Sequence, residues 1–174
     1  MSETAKHRPL VAHLAGGNGI DIGSAGDPLT PWCIQIELSA ELYRLYNSTR
    51  PEARLHWHAD DAIFDLPFKD GTLDFLHASH LLEDFDNWDM ILREWDRVLK
   101  TGGYLIIAVP DHDRFRAYVQ RHLPIDVDNK SHKRESFVGE LTKCLGPHYT
   151  TILDRFVSEN PQEYSIIYAG RKNN

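Results

Sequence analysis

Ile20-Asp21-Ile22-Gly23-Ser24-Ala25-Gly26 is the stretch on which the reading of this chain turns. A short apolar strand runs into a turn of small residues. Eleven residues after Gly26, Glu37 stands near the end of a second apolar run, Cys33 to Leu38. In an open parallel sheet, the turn after one strand and the acid ending the next strand face the same crevice. The turn offers bare main chain, and the acid offers an acceptor for ribose hydroxyls. The pairing points to a cofactor that carries a nucleoside.

Further strands follow outward from that stretch: Leu55 to Ala59, Leu73 to Ala78, and Tyr104 to Val109, an apolar run closed by Pro110. A run without polar alternation fits a strand covered on both faces. Between the last two, Trp88, Ile91, Leu92, Trp95, Val98 and Leu99 recur at the helical period, predicting a helix from Asn87 to Lys100 with Gly102 as its left-handed stop. Ala40 to Tyr46 reads as a short helix. Phe115, Tyr118, Val119 and His122 carry another helical pattern, as do Phe137, Leu141, Cys144 and Leu145. Thr150 to Val157 and Tyr164 to Ala169 are strand-like and joined so briefly, through Asn160-Pro161, that they must pair antiparallel. Strand and helix thus alternate before a terminal pair. This predicts an α/β fold: a Rossmann-like, doubly wound, mostly parallel sheet of seven strands with a C-terminal antiparallel pair. Residues 1–15 read as a tail (1–8) with a short helix from Pro9 to Ala15, and residues 16–174 as a single domain. Asp27-Pro28-Leu29-Thr30-Pro31 makes a long helix in the first crossover improbable on steric grounds.

The 174 residues suffice for one core, and 41% hydrophobic with 26% charged residues is ordinary for a globular protein. No apolar stretch approaches the roughly 18 residues that cross a bilayer, and Met1 to Pro9 lacks a signal-peptide run. The expected location is cytoplasmic, with no membrane partner. A formal charge of −7 argues against nucleic acid, whose binding draws on clustered Lys and Arg. The one basic run, Lys130-Ser131-His132-Lys133-Arg134, reads as a solvated loop, with contact to an anionic substrate as the lesser alternative. Cys33 and Cys144 have neither metal nor redox spacing and read as reduced thiols. His56 and His58 share a strand face but have no evident third ligand, so no metal site is expected.

Five landmarks, in order, resemble the class I S-adenosylmethionine-dependent methyltransferases. They are Asp21-Ile22-Gly23-Ser24-Ala25-Gly26, Glu37, Asp60-Asp61-Ala62 leading to Leu66-Pro67-Phe68, the run Leu73 to Glu83, and Arg97-Val98-Leu99-Lys100-Thr101-Gly102-Gly103. The match covers about residues 18 to 110 and is most specific in its last two landmarks. The resemblance implies S-adenosylmethionine as cofactor, with contacts at Asp21, Gly23, Ala25, Gly26, Glu37, Asp60, Asp61, Ala62 and Ser79. Only small residues let main chain approach the methionine end, and a carboxylate at Glu37 accepts from both ribose hydroxyls. Asp61 with the Ala62 amide suits adenine, and Asp60 is its rival. The chain departs from the family where Ala25 and Asp27 replace glycines, where the first crossover is short, and where Glu83-Asp84 follows the fourth strand.

Methyl transfer from a sulfonium needs mainly orientation and exclusion of water. A hydroxyl acceptor also needs a base, and His80, with His112 second, is the candidate. The Asn/Asp-Pro-Pro-Tyr and Pro-Cys motifs of nucleic-acid-modifying relatives are absent. The expected acceptor is therefore a small molecule, a glycan or lipid intermediate, or a protein. The short lid regions suggest a homodimer. A second reading is a binding or regulatory module that kept the fold and lost turnover. A nicotinamide oxidoreductase is disfavoured, because Gly17 and Gly19 precede the first strand rather than follow it.

Overall fold

The unbroken apolar runs do form neighbouring strands. In a computed structural model that describes residues 2–37, 55–57 (backbone alone), 64–122 and 132–174, seven strands make one sheet in the order β3-β2-β1-β4-β5-β7-β6. They are β1 (Gly19–Ile22), β2 (Ile34–Glu37), β3 (Leu55–Trp57), β4 (Leu73–Ser79), β5 (Leu99–Pro110), β6 (Tyr149–Phe156) and β7 (Ser165–Lys172). β1 to β5 run parallel. β7 enters antiparallel between β5 and β6. Chain order reverses between β1 and β4, so the carboxyl ends of β1, β2 and β4 open onto one crevice.

The period of two divides the apolar residues between two faces. Ile20, Ile22, Leu76, Ala78, Leu105, Ile107 and Tyr168 pack against Trp88, Ile91, Leu92, Trp95 and Val98 of helix α2 (Trp88–Val98). Phe75, Ile106, Ala108, Ile167 and Ala169 form the core of the other face, with Val11, Ala15, Leu29 and Cys33. No described helix is long and apolar enough to cross a membrane.

Several elements depart from their sequence readings. Helix α1 spans Glu3–Val11, over residues expected as a tail, with a 3-10 turn at Ala12–Leu14. The Ser2 side chain caps it by accepting from the Ala5 amide, and Pro9 lies inside it. Helix α2 stops at Val98 instead of Lys100, because Leu99 turns extended and pairs with Leu73. Gly102 is left-handed (φ +80°), but within β5 rather than as the helix stop. Helix α3 (His112–His122) fits its expected pattern; α4 (Glu140–Leu145) is short and leaves Phe137 exposed. The helix expected at Ala40 to Tyr46 lies outside the described residues. The first crossover contains no helix.

Candidate cofactor and acceptor site

The turn after β1 is shaped by three demands for the left-handed region within four residues: φ is +70° at Gly23, +48° at Ala25 and +77° at Gly26. Ala25 keeps the glycine conformation at a cost of roughly 1 kcal/mol, and its exposed position turns the extra methyl outward. The Gly23 amide donates to Ile36 O at 2.8 Å, which draws the turn onto the end of β2. A Cβ built at Gly23 would meet only the δ carbons of Leu81, at 3.7 Å, so the bend stays open on that side.

Glu37 faces this turn. Its carboxylate lies 2.8 Å from Ser24 Oγ, which also reaches Gln35 at 3.0 Å. Burial pushes the Glu37 carboxyl up, while the Ser24 hydroxyl and the amides of Gly26 and Ala25 hold it down and nearby Asp21 adds to the rise. Only 1% of Glu37 is exposed. Asp27, at a position where the family has glycine, bonds Ser2 and Arg8 of α1. Asp60, Asp61 and Ala62 lie outside the described residues, as do His58, Lys130 and Ser131.

Asp21 is fully buried and points to the face covered by α1. Its Oδ2 accepts from the Leu29 amide at 2.6 Å, which fixes the far end of the crossover. Its Oδ1 lies 2.8 Å from His77 Nδ1, without the alignment of a hydrogen bond. His77 Nε2 in turn meets His7 Nε2 of α1 at 2.9 Å. Both imidazoles are wholly buried, and burial plus the neighbouring ring pull His7 down to about 2. Neither histidine stood out in the sequence, because their contact joins residues 70 apart.

At the end of β4, Ser79 is buried and its Oγ has no partner. His80 adopts φ +51°. Its Nε2 lies 3.1 Å from Ser165 Oγ and 3.4 Å from Glu3 of α1; its ring meets Tyr164 edge-on. Burial pulls His80 down to about 4, against the opposing pull of Glu3. On its other side, Nδ1 stands 3.6 Å from Glu83. Glu83 is only 1% exposed, its Oε2 has no partner, and burial pushes it up to about 8. His132 approaches the same carboxyl to 3.9 Å. It is carried there by the Lys133 and Arg134 amides, which donate to Glu83 O. Glu83 and His132 emerge only from the fold; the sequence signal was limited to the unusual Glu83-Asp84 pair. His112 sits farther along, at the start of α3, 3.0 Å from Glu135 and against the Phe137 ring.

The residues present fit an adenosyl cofactor. The bend bears no bulky side chain, Glu37 is brought to it, and Ser79 Oγ awaits a partner at the neighbouring strand end. A separate polar cleft of about 410 Å³ lies at the opposite end of the strands, lined among others by Gly17, Asp74, Lys100 and Gly103. Asp74 and Lys100 there already pair at 2.7 Å.

Comparison with known proteins agrees with this geometry. Residues 14–107 match the methyltransferase domain family. An uncharacterized protein of Methanocaldococcus jannaschii is 32% identical over 109 residues, 61% of this chain and 51% of that protein. The chain therefore spans about half the length of that curated relative. Among solved structures, the PH0226 protein of Pyrococcus horikoshii superposes with a TM-score of 0.75 at 16% identity, covering 97% of this chain and 89% of that one. A Thermotoga maritima protein described as a SAM-dependent methyltransferase, possibly acting on histamine, gives 0.73 at 18% identity, covering 98% and 89%. A putative methyltransferase of Haloferax volcanii, solved with the Trm112 methyltransferase activator, gives 0.69 at 17% identity, covering 99% and 89%. Sheet order, crevice and family match together make this chain a member of the class I S-adenosylmethionine-dependent methyltransferases.

Proposed function

We propose that this protein transfers a methyl group from S-adenosylmethionine to an acceptor that is not nucleic acid: a small molecule, a glycan or lipid intermediate, or a protein. The observation that supports this most is the Glu37 carboxyl set against the bare bend of Gly23 to Gly26. In this reading Glu37 takes the ribose hydroxyls, exchanging the Ser24 hydroxyl for them. Main chain at Gly23, Ala25 and Gly26 receives the methionine end, with Ser79 beside it. Asp61 or Asp60, with Ala62, serves adenine. When bound, the cofactor supplies an electrophilic methyl on sulfur.

In this reading His80 is the proton acceptor, and burial keeps its imidazole neutral at neutral pH. A group that loses its proton near pH 4 is a weak base, however. That favours acceptors needing little activation over alcohols. His112, at the α3 start and engaged with Glu135, is the more remote of the two.

Calorimetry with S-adenosylhomocysteine, S-adenosylmethionine and NAD tests the reading. Binding of the two adenosyl ligands and not of NAD is expected. Absence of adenosyl binding would overturn it. Adenosyl binding with no transfer to any acceptor class would instead favour the module that lost turnover.

A further inference from the structure

We propose that the end of β4 carries a seat for an amine, in which the Glu83 carboxyl, backed by Ser79 and Asp84 and rimmed by the rings of Phe115, Tyr118 and Tyr164, holds the nitrogen of an aryl-alkyl amine acceptor. The assignment rests on the methyl-transfer reading above and names its substrate class. Three side-chain oxygens between residues 79 and 84 are buried without a hydrogen-bond partner: Ser79 Oγ, Glu83 Oε2 and Asp84 Oδ1. Unpartnered buried oxygens are rare and costly, and they cluster here beside the expected methyl-transfer end.

Nothing among the described residues satisfies them. The two imidazoles flanking Glu83 face its other oxygen, Oε1, at 3.6 and 3.9 Å, beyond hydrogen-bond reach. Among the described residues, no lysine or arginine lies within ion-pair distance of the Glu83 carboxyl. Arg134 is turned to Glu140 and the Trp88 ring, and Lys6 to Glu3 and Glu163. Among the described residues, what this carboxyl lacks is a cationic partner that would stabilise its ionised form.

The surroundings select among ligands. An ammonium brings three donors, a hydroxyl one. A carboxylate would face the negative charges of Asp84 and Glu3 that already disfavour ionisation of Glu83, and be repelled. Each flanking imidazole is backed by a ring, His80 by Tyr164 and His132 by Phe115, with centroids 5.9 and 5.1 Å apart. Phe115 and Tyr118 both lean on Tyr164. All three rings are only half buried; Lys6 already stands over Tyr164 and His122 stacks on Tyr118, so the aromatic surface left suits an apolar body.

The step balances without a further reactant. One proton is shared between Glu83 and the amine: carboxylate with ammonium at rest, carboxylic acid with free amine for attack. The nitrogen lone pair forms the N–C bond, the S–C bond breaks with its pair returning to sulfur, and the positive charge passes from sulfur to nitrogen. The proton stays on Glu83 until product leaves.

The test is calorimetry with 2-phenylethylamine, 2-phenylethanol and phenylacetate, on the protein alone and saturated with S-adenosylhomocysteine. The amine is expected to bind about tenfold or more tighter than the alcohol, with phenylacetate weakest. Glu83→Gln is expected to lose about tenfold in amine affinity while binding S-adenosylhomocysteine within about twofold of the parent. Thermal melting establishes that the variant is folded. Equal affinity for amine and alcohol, or a Glu83→Gln protein that binds amine like the parent, overturns the seat. Failure of S-adenosylhomocysteine to bind, with amine selectivity intact, would overturn the methyl-transfer reading and leave the seat standing.

Discussion

Glu37 and Glu83 are both sealed from water, and the difference between them is their partners. Glu37 has a hydroxyl and two amides; Glu83 has an oxygen with nothing to accept from. Replacing Glu37 with Ala should weaken S-adenosylhomocysteine binding by about 1–3 kcal/mol, through lost charge-assisted hydrogen bonds. Calorimetry on the folded variant measures this, and an unchanged affinity would remove Glu37 from the site. Glu83 makes a different prediction. Its folded form keeps the proton up to about 8, while the unfolded chain releases it near the ordinary carboxyl value of 4.5. Between those values the folded state binds more protons, so stability falls as pH rises. Glu83→Gln should match the parent near pH 4 and exceed it by on the order of 4 kcal/mol by pH 8. Urea melts across that range would show a constant gap if the carboxyl were instead solvated.

Helix α1 is held to the sheet largely by polar contacts. Thr4, His7 and Val11 are its buried residues, while Glu3 bonds Ser165 and Tyr164 and Arg8 bonds Asp27 and Leu29 O. His7 stays neutral to about 2 and His80 to about 4, but both charge near 6.5 when unfolded. The unfolded state therefore gains protons first, and the stability from these histidines, complete above 6.5, drains as pH falls. Amide-exchange protection factors in Glu3–Val11 should fall below pH 6.5 ahead of those in β4 and β5, and His7→Gln should flatten the response. The same polarity explains why α1 was illegible. With one apolar residue on its buried face and a proline inside, it shows no 3.6-residue stripe. Helix α2 shows a full stripe and was legible, as were β4 and β5. The site divides the same way. Gly23, Glu37, Ser79 and His80 follow directly from strands that can be read. Glu83 with His132, and His80 with Glu3 and Tyr164, meet only because α1, β7 and the residues after α3 converge on β4.

At the scale of the molecule, two cores back the one sheet, and they respond differently to substitution. Trp95 is fully buried in the α2 core, and Trp95→Ala should cost about 3–5 kcal/mol in chemical denaturation. On the other face the constraint is crowding. A Cβ at Gly19 would come within 2.3 Å of the Phe75 ring, itself wholly buried, so Gly19→Ala should cost about 1–3 kcal/mol by displacing it. The insertion of β7 between β5 and β6 has a further consequence for how the protein is made. During translation, β5 exists for more than fifty residues of synthesis with one row of its amides and carbonyls bare, because the segment that covers them is the last of these seven strands. A nascent or truncated chain halted before Ser165 would expose Leu105 to Val109 as a sticky template for other chains.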